Sequence, residues 1–221
     1  MKIAFLHTAQ VHVATFNTLV DALLQNVECE HHVAPDLLER AQVDGLAAVA
    51  HETMALLTEL AQADAVLCSC STLGPLADTI AETHPNVIRV DRPLMEAAAK
   101  AGPYVMVAVC LQSTRDATLE LLQSCASQIG EIITPRLVLC DAAWPFFEQG
   151  DTAGFATKIA DTINEAIAQH GKPDCIVLAQ ASMRVAAVEL SDLGIPVLSS
   201  PSLATRRLLD VATASFERSN T

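Results

Sequence analysis

The chain repeats itself, and the repeat restricts it to a fold built from two similar α/β halves. Asp64-Ala-Val-Leu-Cys-Ser-Cys-Ser-Thr-Leu73 aligns without a gap on Asp174-Cys-Ile-Val-Leu-Ala-Gln-Ala-Ser-Met183, an offset of 110 residues. The same offset lays Val87-Ile88 on Val197-Leu198. Each copy reads as strand, polar turn, helix, short strand. The apolar runs at 65–68 and 176–178 are continuous, as in parallel strands covered on both faces. Alternating strands and helices imply right-handed crossovers and open parallel sheets. The expectation is an α/β chain of two pseudo-symmetric, flavodoxin-like three-layer domains with four-stranded parallel sheets and an active site between them. The first domain spans residues 1–100 and is joined by a C-terminal helix over 203–221; the second spans 101–202.

Local patterns place the elements. Strands are expected at 3–6, 29–33, 65–69, 87–90, 104–110 and 137–140. A helix is expected over 11–25, with Val13, Phe16, Val20 and Leu23 on one face. Leu46, Val49, Thr53, Leu56 and Leu60 keep helical spacing, and Pro75 opens another helix. Pro93 and Pro103 bracket a helix near the middle, which sets the domain boundary around Lys100 to Pro103.

Composition narrows the class. With 221 residues, 51% of them apolar, the chain can bury a sizeable core. Aromatics are 4%, so that core is aliphatic. A net charge of −13 leaves no basic patch for nucleic acid and none for an anionic membrane. No run is long enough to span a bilayer, and the opening Lys2-Ile-Ala-Phe-Leu, followed directly by His and Thr, is not expected to act as a signal peptide. Seven cysteines, an odd number without CxxC pairs, read as free thiols in a reducing compartment. Cys68, Cys110, Cys140 and Cys175 sit in apolar runs. The expected location is the cytoplasm. The expected partner is a small carboxylate substrate, and homo-oligomer formation stays open.

Ligands of open parallel sheets bind beyond the carboxyl ends of the strands. That rule selects the polar turns His7-Thr8, Cys70-Ser71-Thr72, Ser113-Thr114 and Gln180-Ala181-Ser182. Each leads toward a helix N-terminus, where free N–H groups favour an anion such as a carboxylate. Ser and Thr at such turns also cap helices. Cys70 stands at a strand end before Ser-Thr, where a helix N-terminus is expected to depress its pKa. A catalytic Cys70 is expected to react with iodoacetamide faster than the other six cysteines. The repeat sets Gln180 opposite Cys70: a thiol exchanges a proton, whereas a carboxamide only donates and accepts hydrogen bonds.

These residues resemble a known family. Cys70-Ser71-Thr72 is similar to the first Cys-Asn/Ser-Thr motif of the aspartate/glutamate/hydantoin racemase superfamily. Val90-Asp91-Arg92-Pro93-Leu94-Met95-Glu96-Ala97-Ala98 resembles its following strand–helix segment, and Ser113-Thr114 its Thr after the first strand of the second domain. Residues 176–183 resemble its second Gly-Cys motif. The resemblance runs over essentially the whole chain. It implies a cofactor-independent enzyme in which two cysteines exchange the proton α to a carboxylate. Ser71, Thr72, Thr114 and Ser182 would hold the carboxylate. The chain departs from the family where Gln180 replaces the second cysteine. Decarboxylases of disubstituted malonates also keep one cysteine, but there it is the second; maleate-type isomerases keep both. Racemase-like exchange with Cys70 as acid/base, decarboxylation, and cis–trans isomerisation of a small dicarboxylate all stay open.

Two further readings come from other classes. One is a Cys-His hydrolase with Cys70 as nucleophile and His7 as base, against which the turn lacks the glycines of a nucleophile elbow. The other is a non-catalytic small-acid-binding protein. His31 and His32 are adjacent on a strand, point to opposite faces and cannot chelate, and no cluster has metal-ligand spacing. Trp144-Pro-Phe-Phe147 reads as packing between helices, and Arg206 and Arg207 as surface. The glycine-rich dinucleotide motif is absent.

Overall fold

The computed structural model describes residues 1–219, so residues 220 and 221 of the expected last helix lie outside the described residues. The chain forms two compact units, Met1–Val90 with the stretch from Pro201 onward, and Asp91–Ser200.

The first unit runs β1 (Lys2–His7), α1 (Val11–Leu23), β2 (Glu28–Val33), α2 (Pro35–Asp44), a 3₁₀ turn leading into α3 (Ala50–Leu60), β3 (Ala65–Cys68), α4 (Gly74–Ala81) and β4 (Val87–Arg89). The second runs α5 (Arg92–Ala101), β5 (Tyr104–Val109), α6 (Arg115–Gln128), β6 (Thr134–Leu139), α7 (Trp144–Glu148), α8 (Thr152–His170), β7 (Cys175–Leu178), two 3₁₀ turns and β8 (Val197–Ser199). The last helix, α9 (Ser200–Ser219), carries the chain back into the first unit.

Each unit holds a four-stranded sheet, ordered β2-β1-β3-β4 in one and β6-β5-β7-β8 in the other, with every pair parallel. The 110-residue offset of the sequence maps β3 onto β7 and β4 onto β8 residue for residue. Hydropathy explains the order. The central strands β1 and β3 are buried on both faces, whereas the edge strand β2 alternates exposed and half-buried residues. Edge position also accommodates Pro135 in β6, which begins earlier than the apolar run suggested.

Strand alternation divides the first unit into two layers. Ala4, Leu6, Val66 and Cys68 pack with Leu37 and Ala41 of α2, Leu57 of α3 and Ala77 of α4. Ile3, Phe5, Ala65 and Leu67 pack with Phe16 and Val20 of α1 and with Ala204, Leu208, Leu209 and Ala212 of α9. In the second unit α8, α7 and the 3₁₀ turn at Ala181–Ala187 cover one layer, and Trp144, Phe146 and Phe147 pack against it.

Three expectations are revised. The buried stripe of α1 is His12, Phe16 and Val20, while Leu23 is exposed. The segment after β7 is a 3₁₀ turn where its counterpart after β3 is the helix α4. The helix between Pro93 and Pro103, α5, packs on β5, β7, β8 and α6 and so sits with the second sheet. The sequence boundary at residue 100 grouped it with the first.

Candidate active site

The first unit gathers its polar residues where β1 and β3 end. Leu6 pairs with Cys68, and the Ser69 N–H donates to Leu6 O at 2.9 Å. Continuing that register sets His7 beside Ser69 and Thr8 beside Cys70. Alternation then sends the two pairs to opposite faces of the sheet. His7 joins the Phe5 and Phe16 face, with ring centroids 5.4 and 5.7 Å away. Cys70 joins the layer of Leu6, Cys68 and Leu73.

Cys70 sits in a nest of donors. The hydroxyls of Thr8 and Thr72 and the backbone N–H groups of Thr72 and Leu73, at the approach to α4, lie around its sulfur and favour the thiolate. Thr72 Oγ1 is sealed from solvent and has no hydrogen-bond partner among the described residues. Burial nevertheless dominates. Cys70 is 7% exposed, and desolvation pushes its pKa above the ordinary thiol value despite the four donors. The expected depression is therefore reversed: the resting group is a thiol. A buried thiol also loses its lead in alkylation, because Cys29 is the one cysteine with intermediate exposure.

Arg89 lies next to this nest. It is 4% exposed, and its Nη1 pairs with Asp78 Oδ2 at 2.6 Å. Its guanidinium lies over Gly74, the first residue of α4, so closely that a Cβ there would stand 2.6 Å from it.

His7 does not reach the thiol. Its Nδ1 lies 2.7 Å from Ser69 Oγ and its Nε2 2.9 Å from His31 Nδ1, and His31 Nε2 lies 2.8 Å from Asn17 Oδ1. With the Asn17 oxygen as acceptor, the chain runs one way: Ser69 O–H donates to His7, His7 N–H to His31, and His31 N–H to Asn17. Both imidazoles are then neutral. Burial, with His12 and His31 nearby, pushes His7 down to about 3. The Cys-His hydrolase is set aside on this ground, since both ring nitrogens of the proposed base are engaged elsewhere. Sequence reasoning missed Ser69, His31 and Asn17 as partners. The signal was available in the β2 register, which sets His31 against Phe5, on the face His7 shares.

In the second unit, Gln180 follows β7 and is 7% exposed. Its Oε1 accepts from the backbone N–H of Cys110 at 2.5 Å and of Leu111 at 3.2 Å. Thr114 is buried, and its hydroxyl donates to Leu111 O at 2.7 Å, closing its own turn. Ser113 is exposed, Ser182 half-buried, Ala181 buried, and Ser71 buried beside Cys70. Cys110 and Cys140 are buried thiols with raised pKa values, Cys140 up to about 12. Among the described residues no group of three or more His, Cys, Asp or Glu could hold a metal. Among them, too, no helix is long and apolar enough to cross a membrane.

No protein-family model matches the chain. No curated protein matches it in sequence. Solved structures do match it in fold. Glutamate racemase from Francisella tularensis subsp. tularensis SCHU S4, in complex with D-glutamate, superposes with a TM-score of 0.72 at 12% identity, over 96% of this chain and 81% of that one. Picrophilus torridus aspartate racemase gives 0.66 at 15%, over 96% and 94%. Allantoin racemase from Klebsiella pneumoniae gives 0.67 at 16%, over 97% and 88%.

Proposed function

We propose that this chain, which has the two-sheet fold of the glutamate, aspartate and allantoin racemases, transfers a proton at the carbon α to the carboxylate of a small acid. Cys70 is the acid/base in this reading. The observation that carries it is the donor nest at the end of β3. Two hydroxyls and two backbone N–H groups lie around one sulfur and favour negative charge there, in a buried apolar layer. A cysteine that only fills the core has no need of such donors.

The reaction begins from the thiol. To act as a base, Cys70 first gives up its proton, and each pKa unit of elevation adds about 1.4 kcal/mol to that step. The four donors offset part of this cost as the thiolate forms. To act as an acid, it is already in the required form and delivers a proton to an enolate-like carbanion, becoming the thiolate that the nest holds. This asymmetry supports a second reading: protonation of the carbanion left when a small dicarboxylate loses carbon dioxide. In both readings Ser71 holds the carboxylate in the first unit, with Thr8 and Thr72 beside the sulfur.

At the Cys70 position the repeat carries a thiol in one copy only, and Gln180 has no proton to give at neutral pH. Exchange therefore proceeds with retention, and decarboxylation leaves a single enantiomer. The test is a screen of small carboxylic acids in heavy water, read by NMR and chiral chromatography, with the wild type and Cys70→Ser. Solvent deuterium enters the α position with the wild type and not with Cys70→Ser. Unchanged turnover by Cys70→Ser would remove Cys70 from the chemistry. Efficient racemisation of aspartate, glutamate or hydantoins by the wild type would mean that another residue supplies a second proton.

A further inference from the structure

Gln180 does more than fill the place of a cysteine. Its Oε1 accepts two hydrogen bonds, from Cys110 N and Leu111 N, and these use both lone pairs of the carboxamide oxygen. They also decide which way the amide points. A flipped amide would turn its own N–H₂ group toward two backbone N–H donors, and four donors would meet with no acceptor. The oxygen is therefore locked toward the end of β5, and Nε2 is locked away from it. Nε2 makes no hydrogen bond among the described residues and keeps access to solvent, although the residue as a whole is only 7% exposed. Neighbouring Ala181 offers no side-chain acceptor, and the backbone carbonyl of Gln180 is taken by the Met183 N–H at 2.9 Å.

We propose that Gln180 is a specificity-determining residue whose locked N–H₂ group donates to a carboxylate oxygen of the ligand. The proposal rests on the reading of a small carboxylate ligand. An N–H₂ group without a protein partner gains most from an anionic acceptor, because charge-assisted hydrogen bonds are the stronger ones. The lock also makes the site selective by polarity. A ligand group that is itself a donor, such as an ammonium or a hydroxyl pointing its proton inward, meets two N–H bonds that cannot turn away. Glutamate at this position would keep the two bonds from Cys110 and Leu111 but would present an acceptor and a negative charge where the ligand needs a donor.

Sodium acetate is the probe, titrated into ¹⁵N-labelled protein against sodium chloride at equal ionic strength. In the wild type the side-chain N–H₂ signals of Gln180 shift saturably with acetate. Gln180→Glu and Gln180→Ala bind acetate about tenfold or more weakly, the loss of one hydrogen bond to a charged group. In Gln180→Glu the amide signals of Cys110 and Leu111 keep their positions, which shows the turn intact. Acetate that shifts the Thr72 and Leu73 amides while leaving the Gln180 side chain unmoved would overturn this proposal and leave the carboxylate reading standing. Wild-type affinity in both variants would overturn it equally. No saturable response anywhere in the protein would overturn the carboxylate reading, and this proposal with it.

Discussion

At the scale of single residues, burial and local donors compete, and at Cys70 burial prevails. Its alkylation by iodoacetamide should follow a pH profile with a midpoint above that of an ordinary thiol, about 8.5. Near neutral pH, half-buried Cys29 should be labelled first. Mass spectrometry of the labelled peptides decides it, and a Cys70 midpoint below the ordinary value would show that the nest outweighs desolvation. His7 makes a second residue-scale prediction. Unfolded, it titrates near 6.5; folded, it is pushed down to about 3. Below 6.5 the unfolded chain binds a proton that the folded chain refuses. The stability His7 contributes is thus complete above 6.5 and lost as pH falls toward 3, at up to about 1.4 kcal/mol per pH unit. His7→Gln should be less stable at neutral pH, by about 1–3 kcal/mol for each partner left unpaired. Its urea midpoint should also fall less steeply on acidification. Equal slopes for the two proteins would mean that His7 is charged in the fold.

At the scale of elements, α4 shows how a helix start serves a neighbouring group. Its first residue is Gly74, whose backbone is not in the left-handed region, so alanine there would ordinarily stabilise by about 0.5–1 kcal/mol. The Arg89 guanidinium occupies that space, held by Asp78. Gly74→Ala should therefore destabilise, by about 1–3 kcal/mol, because the new methyl displaces the buried Arg89 guanidinium from its ion pair with Asp78. Chemical denaturation of Gly74→Ala beside Gly74→Ala/Arg89→Met separates the causes. If the double variant shows the same alanine penalty, Arg89 is not what excludes the methyl. The central strands of both sheets were legible as continuous apolar runs, and α4 from its proline. The segment after β7 was not: Ala181 to Ala187 has helical composition, yet it folds as a 3₁₀ turn. The apolar pattern of that stretch serves either helix equally.

At the scale of the whole molecule, the chain ends by repairing its beginning. Without α9, the face of the first sheet that carries Ile3, Phe5 and Leu67 would lose Ala204, Leu208, Leu209 and Ala212. Leu208 is fully buried, so Leu208→Ala should cost about 2–5 kcal/mol in urea unfolding. A chain stopped before Pro201 should expose that face, bind a hydrophobic dye and aggregate. A monodisperse truncated protein with a wild-type midpoint would contradict the role given to α9. By itself the sequence determined the duplication, the parallel sheets and the strand-end turns, because period-2 burial and apolar runs are local properties that the chain carries wherever it folds. Only the tertiary structure decided the titration of Cys70, the partners of His7 and the orientation of Gln180. Those depend on desolvation and on donors more than sixty residues apart in sequence, such as Thr8 for Cys70 and Cys110 for Gln180, which become neighbours only when β1 lies against β3 and β5 against β7.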